Sequence, residues 1–201
     1  SETTLVFDPQ DVIRIDSNAG RVEGRTQLPQ TPHLAPPLLG RYSILTATEN
    51  GLAHIGLFRD STGYLFREMR RFDVAAKVTQ IIQEPRRKGF MSLDQNGTLA
   101  LHYPTTGSTI DTIATDLSAP LIGSISPRSN RLIVATSEST VRNYVMHNEH
   151  PEISFATLWQ EIWYEGYEEP LYNWQSSSAD TDFEPKFSLT PLAFGTLKAA
   201  F

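Results

Sequence analysis

A repeat of 42 residues constrains the fold of this chain more than any other feature. A Pro-Arg pair at 85–86 recurs at 127–128, with no gap between the two copies. The same offset aligns three pairs of apolar residues, which are Phe90 with Leu132, Leu99 with Val141, and Tyr103 with Val145. A spacing of about 40–45 residues is typical of a four-stranded blade in a β-propeller. The repeat therefore predicts blades.

Each copy has the pattern of strand, turn and strand. In the first copy, 90–93 and 98–103 flank a turn whose Asn96-Gly97 pair is typical of a type I′ hairpin. The second copy has Glu138-Ser139 at the equivalent place, so we expect a turn of another type or a longer one. A looser earlier copy runs over 42–58 with Glu49-Asn50-Gly51 as its turn, and residues 12–16 are typical of the end of another blade.

These copies predict a mainly β fold, a partial WD40-like β-propeller fragment of about three blades between Asp11 and Asn148. A β-sandwich, or a meander without radial symmetry, is the alternative. Closed propellers use about four to eight blades, so three blades cannot close a ring. We therefore expect each terminal blade to expose a face, which would be covered by self-association into a homo-oligomer or by the connector folding back over one end.

A connector follows the predicted blades. Over 154–165, apolar residues recur at the spacing of an amphipathic helix, with Ser154 as the N-cap. We expect the connector's aromatic residues to pack on the last blade or to lie near a membrane surface, where Trp and Tyr rings are favoured. These residues are Trp159, Trp163, Tyr164, Tyr167 and Trp174.

The last eleven residues are mostly apolar. Thr190 and Pro191 are typical of an N-cap and a first helical residue, and no stop follows them. A membrane-spanning helix needs about 20 apolar residues, so 191–201 is predicted to be the start of a truncated transmembrane helix. A short terminal helix that packs on the domain is the alternative.

Three segments near the end of the chain resemble a known family. They are Trp163-Tyr164-Glu165-Gly166-Tyr167, the stretch 174–179, and the stretch Asp182 to Phe201. They are similar to the approach to the second transmembrane helix in large phosphate ABC-transporter permeases of the PstC type. The resemblance is specific from about Trp159 to Phe201, and upstream it consists only of the blade repeats.

The resemblance implies a periplasmic domain, inserted between the first two membrane spans of a bacterial inner-membrane permease. It implies that the other subunits of the phosphate transporter, and also the periplasmic phosphate-binding protein, are partners. On this interpretation the chain is a docking, scaffolding or regulatory module. The alternative is a stand-alone β-propeller-like protein-binding module that is unrelated to transport.

Charge is distributed unevenly along the chain, whose formal net charge is −6. Residues 59–88 contain eight Lys or Arg and four Asp or Glu, whereas 149–190 contains nine acidic residues and one Lys. Nucleic acid is not a predicted partner, because the basic residues are interspersed with acidic ones. Four basic residues begin equivalent strands of successive blades and predict an anion-attracting face, with an ordinary solvated rim as the alternative. They are Arg86, Arg87, Lys88 and Arg128.

The sequence carries no recognisable catalytic motif. It contains no phosphate-binding loop, dinucleotide-binding glycine pattern, nucleophile elbow or zinc-protease motif. It contains no cysteine, which excludes disulfides and thiolate metal sites. His147 and His150 could bind a metal with Glu149 or Glu152, but Pro151 favours a loop there. We interpret the acidic residues of the connector as solubilising, and we predict a non-enzymatic protein without cofactor or metal.

The sequence thus predicts three regions. Residues 1–150 form the propeller-like blades, 151–190 the aromatic and acidic connector, and 191–201 the start of the membrane helix.

Overall fold

The computed structural model describes residues 3–40, 42–49, 51–61, 63–85, 88–118, 120–147, 153–175 and 184–200. Up to residue 145, the described strands form four antiparallel sheets, each built from strands that are consecutive in the chain. The first sheet contains β1 (Thr3–Asp8), β2 (Asp11–Asp16) and β3 (Arg21–Gln27), and the second contains β4 (Ser43–Thr48), β5 (Gly51–Asp60) and β6 (Gly63–Phe72). The third sheet contains β7 (Val78–Gln83), β8 (Phe90–Asp94), β9 (Thr98–Tyr103) and β10 (Ser108–Ala114), and the fourth contains β11 (Leu121–Ile125), β12 (Arg131–Thr136) and β13 (Val141–Val145).

Consecutive sheets pack face to face through apolar side chains. Side chains alternate between the two faces of a strand, so an inner sheet can present one apolar face to each neighbour. The first and second sheets share the buried cluster Val12, Leu28, Ile44, Ala53, Ile55 and Phe66. The second and third sheets share Leu45, Ala47, Leu52, Phe72, Val78 and Phe90. The third and fourth sheets share Ile82, Met91, Leu93, Leu99, Leu132 and Val134.

The 42-residue repeat corresponds to a repeated turn. In the third sheet the Asp94 carboxylate accepts hydrogen bonds from the backbone N–H groups of Asn96 and Thr98, at 2.9 and 2.8 Å. In the fourth sheet the Thr136 hydroxyl accepts the equivalent bonds from the N–H groups of Glu138 and Thr140, at 3.2 and 3.3 Å. Gly97 and Ser139 both have positive φ, at 78° and 66°. The two turns thus have the same design despite different residues.

The predicted hairpins are confirmed: the turn of the first copy differs from the type I′ expectation, whereas that of the second copy is longer than two residues, as expected. Leu93 pairs with Leu99, and Ala135 pairs with Val141, so five residues rather than two separate the last paired residues of each hairpin. The wider loop forms because the side chain of its first residue accepts two backbone N–H groups that a two-residue turn would not present to it. The mainly β prediction is confirmed, and the described residues form four sheets before the connector, where about three blades were expected.

The helix predicted for the connector over 154–165 is wrong. Ser154 and Thr157 exchange hydrogen bonds as helix-capping residues do, but only one turn follows, closed by the bond from the Trp159 N–H to the Ala156 carbonyl. Ile162 then pairs with Leu171 in an isolated antiparallel β-bridge. A residue that gives both backbone groups to such a bridge cannot continue a helix. Phe155, which belongs to the predicted apolar face, is 81% exposed.

The remaining elements are a short hairpin and one helix. Strands β14 (Trp174–Gln175) and β15 (Lys186–Phe187) pair antiparallel, and α1 (Thr190–Ala200) follows. The Leu189 carbonyl accepts the first intrahelical bond, from Ala193, so the helix begins one residue earlier than predicted. No residue of α1 is buried. Among the described residues, α1 included, no helix has the length and apolar character that crossing a membrane requires.

A buried histidine lies between the second and third sheets. The His102 ring packs between Phe72 and Phe90, with ring centroids 5.1 and 5.0 Å away. Its nitrogens hydrogen-bond the hydroxyls of Ser92 and Thr109, at 2.8 and 3.0 Å. Burial lowers the pKa of His102 to about 4, so the imidazole is neutral at pH 7.

This buried imidazole predicts a loss of stability in mild acid. The unfolded chain binds the proton near pH 6.5, whereas the folded chain binds it only near pH 4, so unfolding is favoured progressively as the pH falls between these values. The shift corresponds to about 3 kcal/mol in the free energy of unfolding. Urea unfolding at pH 7, 5.5 and 4.5 measures it. His102→Gln should reduce this pH dependence, whereas the exposed His147→Gln should leave it unchanged; an equal pH dependence in wild type and His102→Gln would contradict the assignment.

Candidate functional site

The connector lies against the second and third sheets, and Glu165 is the centre of the contact. One carboxylate oxygen, Oε1, accepts hydrogen bonds from the Tyr42 N–H at 2.6 Å and from the Ser43 hydroxyl at 3.0 Å. The other, Oε2, pairs with the Lys88 ammonium at 2.8 Å. The side chains of Lys88 and Glu165 are only 15% and 10% exposed. In an ion pair so shielded from water, desolvation offsets much of the attraction, but removing one partner is costly because it leaves the other charge buried and unpaired.

A second buried carboxylate, Glu184, joins the connector to itself and to the third sheet. Its Oε2 accepts a hydrogen bond from the Glu165 N–H at 2.7 Å. Its Oε1 accepts one from the Thr105 hydroxyl, in the turn between β9 and β10. The two glutamates therefore form one polar seam, which we define as Glu165, Glu184, Lys88, Arg70 and Thr105.

Two arginines of β6 hold the connector backbone. Arg70 donates a hydrogen bond to the carbonyl of Trp163, and Arg67 donates one to the carbonyl of Glu168 at 3.5 Å. The Arg67 guanidinium also lies over the Phe58 ring, 4.0 Å from its centroid. Burial lowers the pKa of Arg70 to about 10, partly opposed by the nearby Glu184 carboxylate, so Arg70 stays cationic at neutral pH.

The backbone approaches the seam closely at one glycine. A Cβ atom at position 40 would overlap the Glu165 carboxylate, so only glycine leaves room for it there. Gly40 precedes β4, whose N-terminal end supplies the N–H and hydroxyl donors to Glu165. The end of one blade is thus shaped to accept a side chain from the connector.

The connector also has a small apolar cluster of its own, composed of Ile162, Tyr164 and Phe187. Burial is the main cause that raises the pKa of Tyr164 to about 12. Trp163 lies beside this cluster and packs on the Phe58 ring of β5, with centroids 5.7 Å apart. The connector is therefore attached to the blades by one tryptophan ring and a set of charged contacts.

The structure distributes the predicted aromatic residues over different environments. Tyr164 is fully buried, Trp163 and Tyr167 are half-buried, and Trp159 and Trp174 are exposed. Two of the five therefore keep large accessible rings.

The predicted basic residues do not all fall within the described part of the chain. Arg86 and Arg87 lie outside the described residues. Lys88 pairs with Glu165, which neutralises its charge, and Arg128 is exposed in the turn before β12. The anion-attracting face stays a prediction. Of the residues the structure describes, which exclude His150, no three His, Asp or Glu side chains are grouped as a metal site would need.

Sequence reasoning did not identify Glu165, Glu184 or Arg70 as a set. A usable pattern was present, because the basic segment 59–88 contains Arg67, Arg70 and Lys88, and the acidic segment 149–190 contains both glutamates. The opposite charge of the two segments is consistent with their contact. It does not specify which residues meet, since many pairings would satisfy the same charge balance.

Comparisons with known proteins identify the architecture. No protein-family model and no curated protein matches the chain. Its backbone is similar to the β-propeller domain of Cps50 (Swd1) from Myceliophteria thermophila, with a TM-score of 0.55, 12% identity and 75% of this chain covered. The fold is an incomplete WD40-like β-propeller. The C-terminal WD40 domain of Sif2 is similar as well, with a TM-score of 0.52, 12% identity and 72% of this chain covered.

The chain spans 52% of the Cps50 chain and 40% of the Sif2 chain.

The polar seam predicts that Glu165→Gln destabilises the protein by about 3 kcal/mol, because Lys88 would keep its charge in a site largely shielded from water. Hydrogen exchange over 158–175 should increase at the same time. Lys88→Met is the matched change in the other partner of the ion pair. The double variant Glu165→Gln/Lys88→Met should recover much of the lost stability, because neither charge is then left unpaired. Additive losses in the double variant would show that the two side chains do not act as a pair.

Proposed function

We propose that this chain is a non-catalytic protein-binding module, whose blades hold extended polypeptide against the second and third sheets. The observation that carries the proposal is the connector itself, which the blades bind through its backbone carbonyls and one glutamate side chain. Binding of main-chain groups together with one charged side chain is a general way to recognise a peptide segment. The fold supports the proposal only as an architecture, because one fold serves many functions.

The connector occupies this surface intramolecularly. A tethered segment competes with any external peptide at an effective concentration in the mM range. An external ligand would therefore bind weakly until the tethered segment is released. Weakening the Lys88–Glu165 pair is the direct way to release it.

A labelled peptide of residues 158–172 tests the proposal. We expect this peptide to bind the full chain carrying Glu165→Gln at least about tenfold more tightly than the wild-type chain, because the tethered competitor is weakened. Fluorescence anisotropy measures both affinities. The same peptide carrying Glu165→Gln is the matched control and should bind less tightly. Equally weak binding of both peptides to both the wild-type chain and the Glu165→Gln chain would contradict a peptide-binding surface.

A second candidate is the periplasmic domain of a phosphate ABC-transporter permease in the bacterial inner membrane. The observation that favours it is α1, whose Leu192, Phe194 and Leu197 side chains are all exposed, Phe194 at 68%. Eleven helical residues span about 16 Å, roughly half of the hydrocarbon thickness of a bilayer. On this proposal α1 is the first half of a membrane helix, and the other transporter subunits and the phosphate-binding protein are the partners.

Flotation with lipid vesicles tests whether α1 enters a membrane. We expect the wild-type chain to associate with the vesicles and Phe194→Asp to weaken that association at least about tenfold, since the variant replaces an exposed apolar ring of α1 by a charge that is costly to bring into hydrocarbon. Phe155→Asp is the matched control, because Phe155 is an exposed phenylalanine of the connector. Failure of the wild-type chain to float, or equal behaviour of the two variants, would contradict the membrane assignment.

A further inference from the structure

The fourth sheet exposes an apolar face. The register places Ile122, Ala135 and Val141 in one row across β11, β12 and β13, and places Ile133 in the next row between Ser124 and Asn143. Ile122 is 66% exposed and Ile133 is 48% exposed. The opposite face of the same sheet contributes Leu132 and Val134 to the core shared with the third sheet. We call the exposed side the fourth-sheet outer face.

The first sheet exposes a similar face at the other end of the stack. Its inner side contributes Val12 to the core shared with the second sheet. The register places Val6 opposite Ile13, and Ile15 opposite Val22, on the other side of the sheet. Val6 and Val22 are exposed. We call this side the first-sheet outer face.

These two faces have the character of the three buried interfaces. Each internal interface joins the apolar face of one sheet to the apolar face of the next. The two outer faces also have complementary charges. The first-sheet outer face carries Asp8, Asp11 and Arg25, which leaves it a net negative charge, and the fourth-sheet outer face carries the positive Arg131. A contact between the two would continue the stack in the direction in which it already runs.

The size of the similar domains indicates what covers these faces. The chain spans about half of one WD40-like domain and two fifths of another. Two stacks of four sheets make about eight, which lies at the upper end of the usual range for a closed propeller. A second copy can supply the missing sheets, because it carries both faces.

We propose that the fourth-sheet outer face docks on the first-sheet outer face of a second copy, and that two such contacts close a ring of eight sheets. This surface is separate from the polar seam and its connector. Loss of dimerisation would therefore leave the peptide-binding proposal intact, and loss of peptide binding would leave the ring intact.

Sedimentation equilibrium of the full chain tests the dimer. We expect a concentration-dependent dimer, and we expect Ile133→Lys to raise its dissociation constant roughly thirtyfold or more, the effect of a central interface residue. Phe194→Lys is the matched control, because α1 is another exposed apolar surface, and it should leave the dimer unchanged. A monomeric wild type, or a dimer lost in Phe194→Lys and kept in Ile133→Lys, would overturn the proposal.

Cross-linking tests which faces meet and does not depend on the stability of the lysine variant. The chain contains no cysteine, so Val6→Cys and Ile133→Cys each introduce a single thiol. With a short bis-maleimide, a mixture of the two variants should give a covalent dimer, and each variant alone should not. Cross-linking of Ile133→Cys alone would show two fourth sheets face to face and would overturn the ring. The absence of a cross-link in the mixture would overturn the ring as well.

Discussion

The two-sidedness of a β-sheet is the constraint on which the rest of this structure depends. Strand pairing satisfies most backbone groups within each sheet, so neighbouring sheets are joined mainly through side chains, those of the apolar clusters and that of Gln80, which bonds the Gly123 backbone. The second and third sheets bury both faces, and Phe72 and Phe90 meet edge to face, with ring centroids 5.1 Å apart, where they join. A terminal sheet buries one face only. An open stack therefore has two apolar ends, whatever its length.

The connector is attached in a different way, mainly by charge. Its own apolar cluster is small, and its contacts with the blades run through Glu165, Glu184 and two arginines. Apolar contacts would tolerate small shifts of the segment along the blade, whereas a hydrogen-bonded carboxylate beside Gly40 specifies one position. The seam thus determines where α1 leaves the blades, because Glu184 lies six residues before that helix.

Three surfaces with different chemistry follow from this arrangement. The polar seam holds the connector, the outer faces of the terminal sheets expose apolar side chains, and α1 exposes Leu192, Phe194 and Leu197. A protein-binding module needs only the first surface. The proposed ring would use the second surface, and the proposed membrane attachment would use the third. The three proposals rest on different residues, so each can be tested without the others.

The sequence alone indicated the repeat, the hairpin strands of its copies and the terminal helix, because alternating apolar residues, turn-forming residues and helix caps act within a few positions of each other. The equivalence of the loops that begin at Asp94 and Thr136 was present in the 42-residue spacing. Tertiary structure decided the rest. Residues 154–165 have helical periodicity, yet Ile162 pairs with Leu171 and Glu165 is held by Lys88, 77 positions away in the chain. Helix propensity is a weak preference of tenths of a kcal/mol per residue, and the tertiary contacts of this segment override it.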